Sequence, residues 1–377
     1  MKIGIHLQGT TVSSQNSPFE RKFLDILAYN KINFSILNIN DFDFWEKLKD
    51  IDIFIYRFGG LSSELQLAST IMPIIENQMG IKCFPDQKSC WHYDDKIKQY
   101  YLLKSADLPL TKSWVFWDKA KCINWLDTIK YPIVFKLKGG AGSTGVVLLE
   151  SKKEAVKVVN KIFTSGIKSK RIPSKNSLRN KNFNIKGRAI ELLKIVGKRL
   201  KSLQSNRYWF PNIDYAYFQK FLPGNDFDTR ILTVGNRAFV YRRMNRKNDF
   251  RSSGSGMIDY DTKKIDLNHV KKAFEISSKM QFQSMAYDFL YNEKGEPETC
   301  EISYTTIDYL MYACSGYWDD KLNWHEGHFW PQYFILMDLL ELPNLKQPEL
   351  KPEDYLFKSD VEKFKMTFLN KPKNKIN

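Results

Sequence analysis

The sequence predicts a mixed α/β fold in which a parallel α/β unit leads and strand-rich units follow. Three observations predict it. Over residues 1–90, short apolar runs alternate with helical patterns, as in strands joined by helical crossovers. At 133–150, IVFKLKGGAGSTGVVLLE, two apolar runs flank a glycine-rich loop and read as a hairpin. At 284–303, SMAYDFLYNEKGEPETCEIS, two β-rich runs flank a turn at Glu293–Gly295.

In chain order, MKIGIHL is a strand, 19–31 a helix and NFSILNI a second strand. DIDIFIYRF (50–58) is a third strand, with alternating β-branched and aromatic residues. A helix is predicted near 94–105, where DDKIKQYYLLKS carries its acidic residues at the end with unpaired backbone N–H groups. SADLPLTKSWVF reads as a turn into a strand, 116–130 as a helix, and 151–163 as an amphipathic helix. Strands return with YAYFQKFL, TRILTV and RAFVYRRM, followed by a helix at 268–281. The expected units are 1–90; 91–340, split into a lid part about 110–218 and a part about 219–340; and an extension 341–377 whose lysine-rich end, 370–377, is expected to be disordered.

Charge and composition narrow the function classes. Residues 164–210 hold 13 Lys/Arg and one acidic residue, so this insertion carries +12 of the net +16. Nucleic-acid binding by the whole surface is therefore disfavoured. Within it, 164–188 reads as a polar loop and 189–204 as a basic amphipathic helix. That helix suits a solvated face, an anionic substrate or a membrane surface. No apolar run reaches the roughly 18 residues of a membrane helix, and MKIGIHL lacks a signal-peptide layout, so a cytoplasmic protein is expected. The five cysteines form no C-x-x-C pair, which argues against a zinc site or disulfide framework.

The glycine loop frees backbone N–H groups for close approach to an anion, and Lys136 just upstream supplies a point charge for phosphate. A strand follows the loop, so it is neither a Walker loop nor a dinucleotide fingerprint. Glycine turns between strands are common, and a plain turn is the competing reading. Magnesium would need hard oxygens, which Asp288 and Glu301 on the 284–303 hairpin offer; a solvated sheet face is their competing reading. His325-Glu326-Gly327-His328 lacks zinc-protease spacing. Its aromatic surroundings, GYWDDKLNWHEGHFW, suit packing or an acceptor pocket.

Lys96, then Lys136 and the glycine loop, then FQKFLPGNDFDTRILTVGNRAFVYRRMNRKNDFRSSGSGM, then Asp288 and Glu301, form an ordered series. Across about residues 90–305, apart from the insertion, this series resembles the ATP-grasp superfamily. The resemblance is nearest to carboxylate–amine ligases such as the enzyme that adds glutamate to ribosomal protein S6. The leading domain, including DIFIYRFG, resembles that family's first domain.

The resemblance implies a nucleotide held between two antiparallel-rich sheets behind a Rossmann-like leading domain, with ATP and Mg2+ (or Mn2+) as cofactors. It implies phosphate contacts from Lys96 and Lys136 and a lid of Gly139, Gly140, Gly142, Ser143, Thr144 and Gly145. Adenine would lie against Gln219, Lys220, Phe221 and Leu222, and ribose against Asp226, with Asp228 second; loop solvation or a salt bridge to Arg230 is the competing reading for both carboxylates. Arg243 and Arg251 would stabilise the acyl-phosphate step; strand alternation sends Arg242 to the other face. Asp288, Glu301 and Ser303 would hold the metal, Ser303 standing where the family usually has asparagine, a stronger ligand than a hydroxyl. The implied reaction joins a small-molecule or glycan carboxylate to an amine. A phosphotransferase on the same fold, or a non-catalytic module using the basic insertion, are the other readings.

Overall fold

The computed structural model describes residues 1–7, 18–140, 142, 145–167 and 212–355. The bulk of the basic insertion, the expected helix 189–204, the tail 370–377, Ser143 and Thr144 lie outside the described residues.

The leading unit is a four-stranded parallel sheet of β1 (Ile3–Ile5), β2 (Phe34–Ile36), β3 (Ile53–Ile55) and β4 (Lys82–Phe84), in the order β2-β1-β3-β4. Its central strands are apolar at every position because helices bury both faces. Ile3, Ile5, Ile53 and Ile55 pack with Phe23, Ile26 and Leu27 of the helix Pro18–Tyr29. Phe54 and Cys83 pack on the other side with Ala68, Ile71 and Met72 of the helix Ser62–Pro73.

The second sheet is antiparallel: β5 (Ser113–Phe116), β6 (Ile133–Lys136), β7 (Val146–Leu149) and β8 (Ala216–Lys220), in the order β5-β8-β6-β7. Ile133 and Phe135 pack with Cys122, Ala155, Val159 and Ile162, on and beside the helices Lys119–Trp125 and Lys152–Ile162. Alternation along β6 therefore turns Lys136 away from this core.

The third sheet holds β9 (Phe227–Val234), β10 (Arg237–Met244), β11 (Ile258–Asp259), β12 (Ser284–Tyr291), β13 (Pro297–Ser303), β14 (Gly316–Asp319) and β15 (Trp324–Glu326). Its order is β13-β12-β9-β10-β14-β15, with β11 also paired to β10. Val270, Ala273 and Ile276 of the helix Leu267–Met280 bury one face against Ile231, Tyr287 and Phe289. The aromatic segment 316–330 forms the β14–β15 hairpin, with Tyr317 edge-on to Phe334 at 5.1 Å and Trp318 against Trp324 at 4.4 Å. Tyr317 thus packs on the helix Pro331–Leu339 through Phe334, and the two tryptophans pack on each other.

The helix Lys96–Ser105 joins the units. The Asp95 carboxylate caps it, accepting from the N–H groups of Ile97 and Lys98 at 3.0 and 3.1 Å. Among the described residues, no helix is long and apolar enough to cross a membrane.

Candidate active site

Strand register assembles the polar cluster. Asp228 lies opposite Arg243, Arg230 opposite Asp288, and Asp288 opposite Glu301. Side chains alternate along strands, so all five rise from one face of the third sheet. Arg243 donates through Nε and Nη2 to the two oxygens of Asp228, at 2.7 and 2.6 Å. Its Nη2 is also 2.7 Å from Asp288 Oδ2. Arg230 grips Asp288 from the other side, with Nη2 donating at 3.1 Å and Nε 2.5 Å from Oδ1. Burial alone would push the Asp288 carboxyl up, but Arg230 and Arg243 more than offset it and hold it below its ordinary value, with Lys136 adding to the effect. Arg242 takes the opposite face, paired with Asp259 and lying 4.5 Å over the Phe227 ring.

Two lysines close the cluster from the other elements. Lys96 is buried at the helix start; its Nζ lies 3.1 Å from Glu301 Oε1 and donates to the Gly140 carbonyl at 3.1 Å. Burial would discharge this ammonium, but Glu301 and Asp94 keep its pKa above the ordinary value. Lys136 comes from β6 of the second sheet. It is buried, it acts on Asp288 and Cys300 through its charge, and it has no ion pair or hydrogen bond among the described residues. Four cations thus converge where two sheets face each other, and among the described residues Lys136 is the one without a direct partner.

The described ends of the glycine loop are tied down beside this cluster. Leu137 N–H donates to the Gly145 carbonyl at 2.9 Å, closing the loop's neck. Asp94, in the left-handed region at φ +52°, accepts from Gly140 N–H at 3.0 and 3.3 Å. Burial pushes the Asp94 carboxyl up to about 6, against the pull of Lys96 and the Gly140 N–H. Arg251 does not join the cluster. It pairs with Asp249 through Nε and Nη2, both at 2.8 Å, and its Nη1 donates to the Val146 carbonyl at 3.4 Å, tying the 245–257 loop to β7.

At the hinge after β8, Gln219 is buried and its amide donates to Ser113 Oγ at 3.3 Å. Lys220 Nζ is 2.9 Å from Glu293, Phe221 meets Phe250 edge-on at 5.7 Å, and Leu222 is buried. Asn225 fixes the hinge to β12, donating to the Tyr291 carbonyl at 2.9 Å and accepting from Tyr291 N–H at 2.8 Å. Asp226 is exposed beside it. Asp94, Arg230 and Asn225 lie in this candidate site, and the sequence reading gave none of them a role in it; only the strand register and the folded loops bring them in.

Among the described residues, no three His, Cys, Asp or Glu side chains gather to hold a metal unaided. Ser303 turns its hydroxyl back to the Thr305 carbonyl, donating at 2.6 Å. Asp288 and Glu301, facing each other across β12 and β13, are hard-oxygen donors that fit an ion arriving with further oxygens of its own, as Mg2+ does with nucleotide phosphates.

No family model matches the chain. In sequence it is similar to phosphoribosylamine–glycine ligase from Fusobacterium nucleatum, 29% identical over 163 residues, 41% of this chain. The match spans 36% of that relative's length. In structure it is similar to N5-carboxyaminoimidazole ribonucleotide synthetase in its ADP complex, with TM-score 0.51 and 11% identity over 84% of this chain and 73% of the other. It is also similar to D-alanine–D-alanine ligase from Bacillus anthracis, with TM-score 0.49 and 16% identity over 81% and 86% of the two chains. The first structural likeness, together with the sheet order, establishes the ATP-grasp fold for this chain.

Proposed function

We propose that this chain is an ATP-dependent ligase that joins a carboxylate to an amine through an acyl phosphate. The observation that carries the reading is Lys136: a buried ammonium with no direct partner among the described residues, facing a cluster of two guanidiniums, a second lysine and three carboxylates between two sheets. A buried cation without a partner is costly, and a phosphate would supply the missing charge.

In this reading a substrate carboxylate oxygen attacks the γ-phosphorus of ATP and ADP leaves. The amine then attacks the acyl carbon, phosphate leaves, and the amine gives up a proton. Lys96 and Lys136 bind the phosphates, and Arg243, locked in place by Asp228, faces the charge that develops on transfer. Gln219 to Leu222 hold the base, Asp226 the ribose, and the loop over Gly139–Gly145, including Ser143 and Thr144, excludes water from the acyl phosphate. Arg251 acts from the loop it ties to β7. Mg2+ or Mn2+, held by Asp288 and Glu301 with Ser303 nearby, would offset phosphate charge. The carboxylate is proposed to be a small acid, with sugar acids and glycan precursors tried first because the cationic insertion suits an anionic acceptor. The printed activity of the relative similar in sequence, ligation of phosphoribosylamine with glycine, agrees with this reaction class.

The test is nucleotide product analysis with Mg-ATP and pooled acids and amines. ADP and phosphate formed only when both a carboxylate and an amine are present is the expected result. A phosphorylated product formed without an amine would replace the ligase with a phosphotransferase. Full turnover by Lys136→Ala would overturn the site assignment.

A further inference from the structure

We propose that Asp94 is a positioning residue that holds Gly140 of the glycine loop by occupying the position of a phosphate oxygen, and that nucleotide binding has to displace it. The proposal rests on the nucleotide reading above.

Two chain segments close on this carboxylate. From the second sheet, Gly140 N–H donates to both of its oxygens, at 3.0 and 3.3 Å. From the leading domain, Gly60 approaches so closely that a Cβ there would lie 3.3 Å from Asp94 Oδ2. At Gly139 a Cβ would lie 3.2 Å from the Asp94 carbonyl oxygen and 3.4 Å from Oδ2. Asp94 itself adopts a left-handed backbone that non-glycine residues take at a cost. Two residues on, Lys96 holds the other polar group of the same peptide region, donating to the Gly140 carbonyl, while its backbone N–H donates to the Lys138 carbonyl at 2.8 Å. Residues 94 and 96 therefore grip Gly140 on both its donor and its acceptor.

A glycine-loop N–H is the donor a phosphate oxygen takes. Here a carboxylate already fills it. Asp94 also balances part of the Lys96 charge; its other charged or titratable neighbours are Glu301, Asp95 and Tyr93. An incoming triphosphate meets a resident anion that competes for the same N–H and for the same lysine.

The experiment compares wild type, Asp94→Asn and Asp94→Ala in the full chain. Asparagine keeps an acceptor oxygen for Gly140 N–H and removes the charge. Mg-ATP affinity, read by titration calorimetry, is expected to rise roughly tenfold in Asp94→Asn, a difference of about 1.4 kcal/mol. Amide hydrogen exchange over 138–146 without nucleotide is expected to stay slow in Asp94→Asn and to quicken in Asp94→Ala. An asparagine variant that binds Mg-ATP no more tightly than wild type overturns the competition, and unchanged exchange in the alanine variant overturns the clamp. Failure of wild type to bind Mg-ATP would instead remove the nucleotide reading, and this proposal with it.

Discussion

At the scale of single residues, the two proposed metal carboxylates carry different structural loads. Asp288 is buried under two guanidiniums, whereas the Glu301 side chain is 31% exposed and shares Lys96 with the Gly140 carbonyl. Asp288→Asn leaves Arg230 and Arg243 buried against a neutral amide, and a broken buried pair of this kind costs about 3–5 kcal/mol. Glu301→Gln leaves Lys96 with Asp94 still beside it and costs less. Both variants are expected to lose ATP turnover, but only Asp288→Asn should shift the urea midpoint strongly. Equal midpoint shifts would show that Glu301 is as structural as Asp288. Lys96, Lys136, Asp288 and Glu301 were legible in the sequence because their order along the chain matches a known series. Arg230 and Asp94 were not: one charged residue in a strand or polar turn has no periodic signal, and its partners are set by register and loop closure.

At the scale of elements, the hairpin of β6 and β7 was legible because two apolar runs flank a glycine loop, and its neck shows why glycine is needed. Gly145 has φ +76°, and a Cβ there would sit 2.7 Å from Leu137 Cδ1, inside the turn closed by the Leu137–Gly145 hydrogen bond. Gly142 has φ +64° with open space around it. Gly142→Ala is therefore expected to cost about 1–2 kcal/mol, the left-handed backbone penalty alone. Gly145→Ala must also push Leu137 out of the second sheet's core, so its loss should be larger. Thermal midpoints and Mg-ATP affinities of the two variants check this order, and similar losses would contradict it. Other elements were not legible. β4 is only Lys82–Phe84, too short to show alternation. The helix Pro331–Leu339 is apolar on nearly every side, because it is buried among the first helix and the third sheet, so it lacks a 3.6-residue polar stripe.

At the scale of the whole molecule, the packing that brings the sheets together also buries ionisable groups whose titration opposes folding in acid. Burial holds His92 and His269 down to about 4. Unfolded, each histidine takes a proton near 6.5; folded, neither does until about 4. The stability each contributes is complete above 6.5 and is lost as pH falls towards 4, up to about 3 kcal/mol each. Asp94 works the other way. Its folded value near 6 lies above 3.8, so its contribution is complete below 3.8 and is lost as pH rises through 6, again at most about 3 kcal/mol. Glu76, Asp86, Asp228 and Asp338 are also pushed up by burial and act with Asp94, while His6, held down by burial, acts with the other two histidines. Below that window Asp288, held under its ordinary value, adds to the loss. A single substitution isolates one share of this balance. Between pH 7 and 4.5 the thermal midpoint is expected to fall more steeply with falling pH in Asp94→Asn than in wild type, because the variant lacks one opposing group and keeps every histidine. Equal slopes in the two proteins would mean that the carboxylate gripping Gly140 titrates as it would in the unfolded chain.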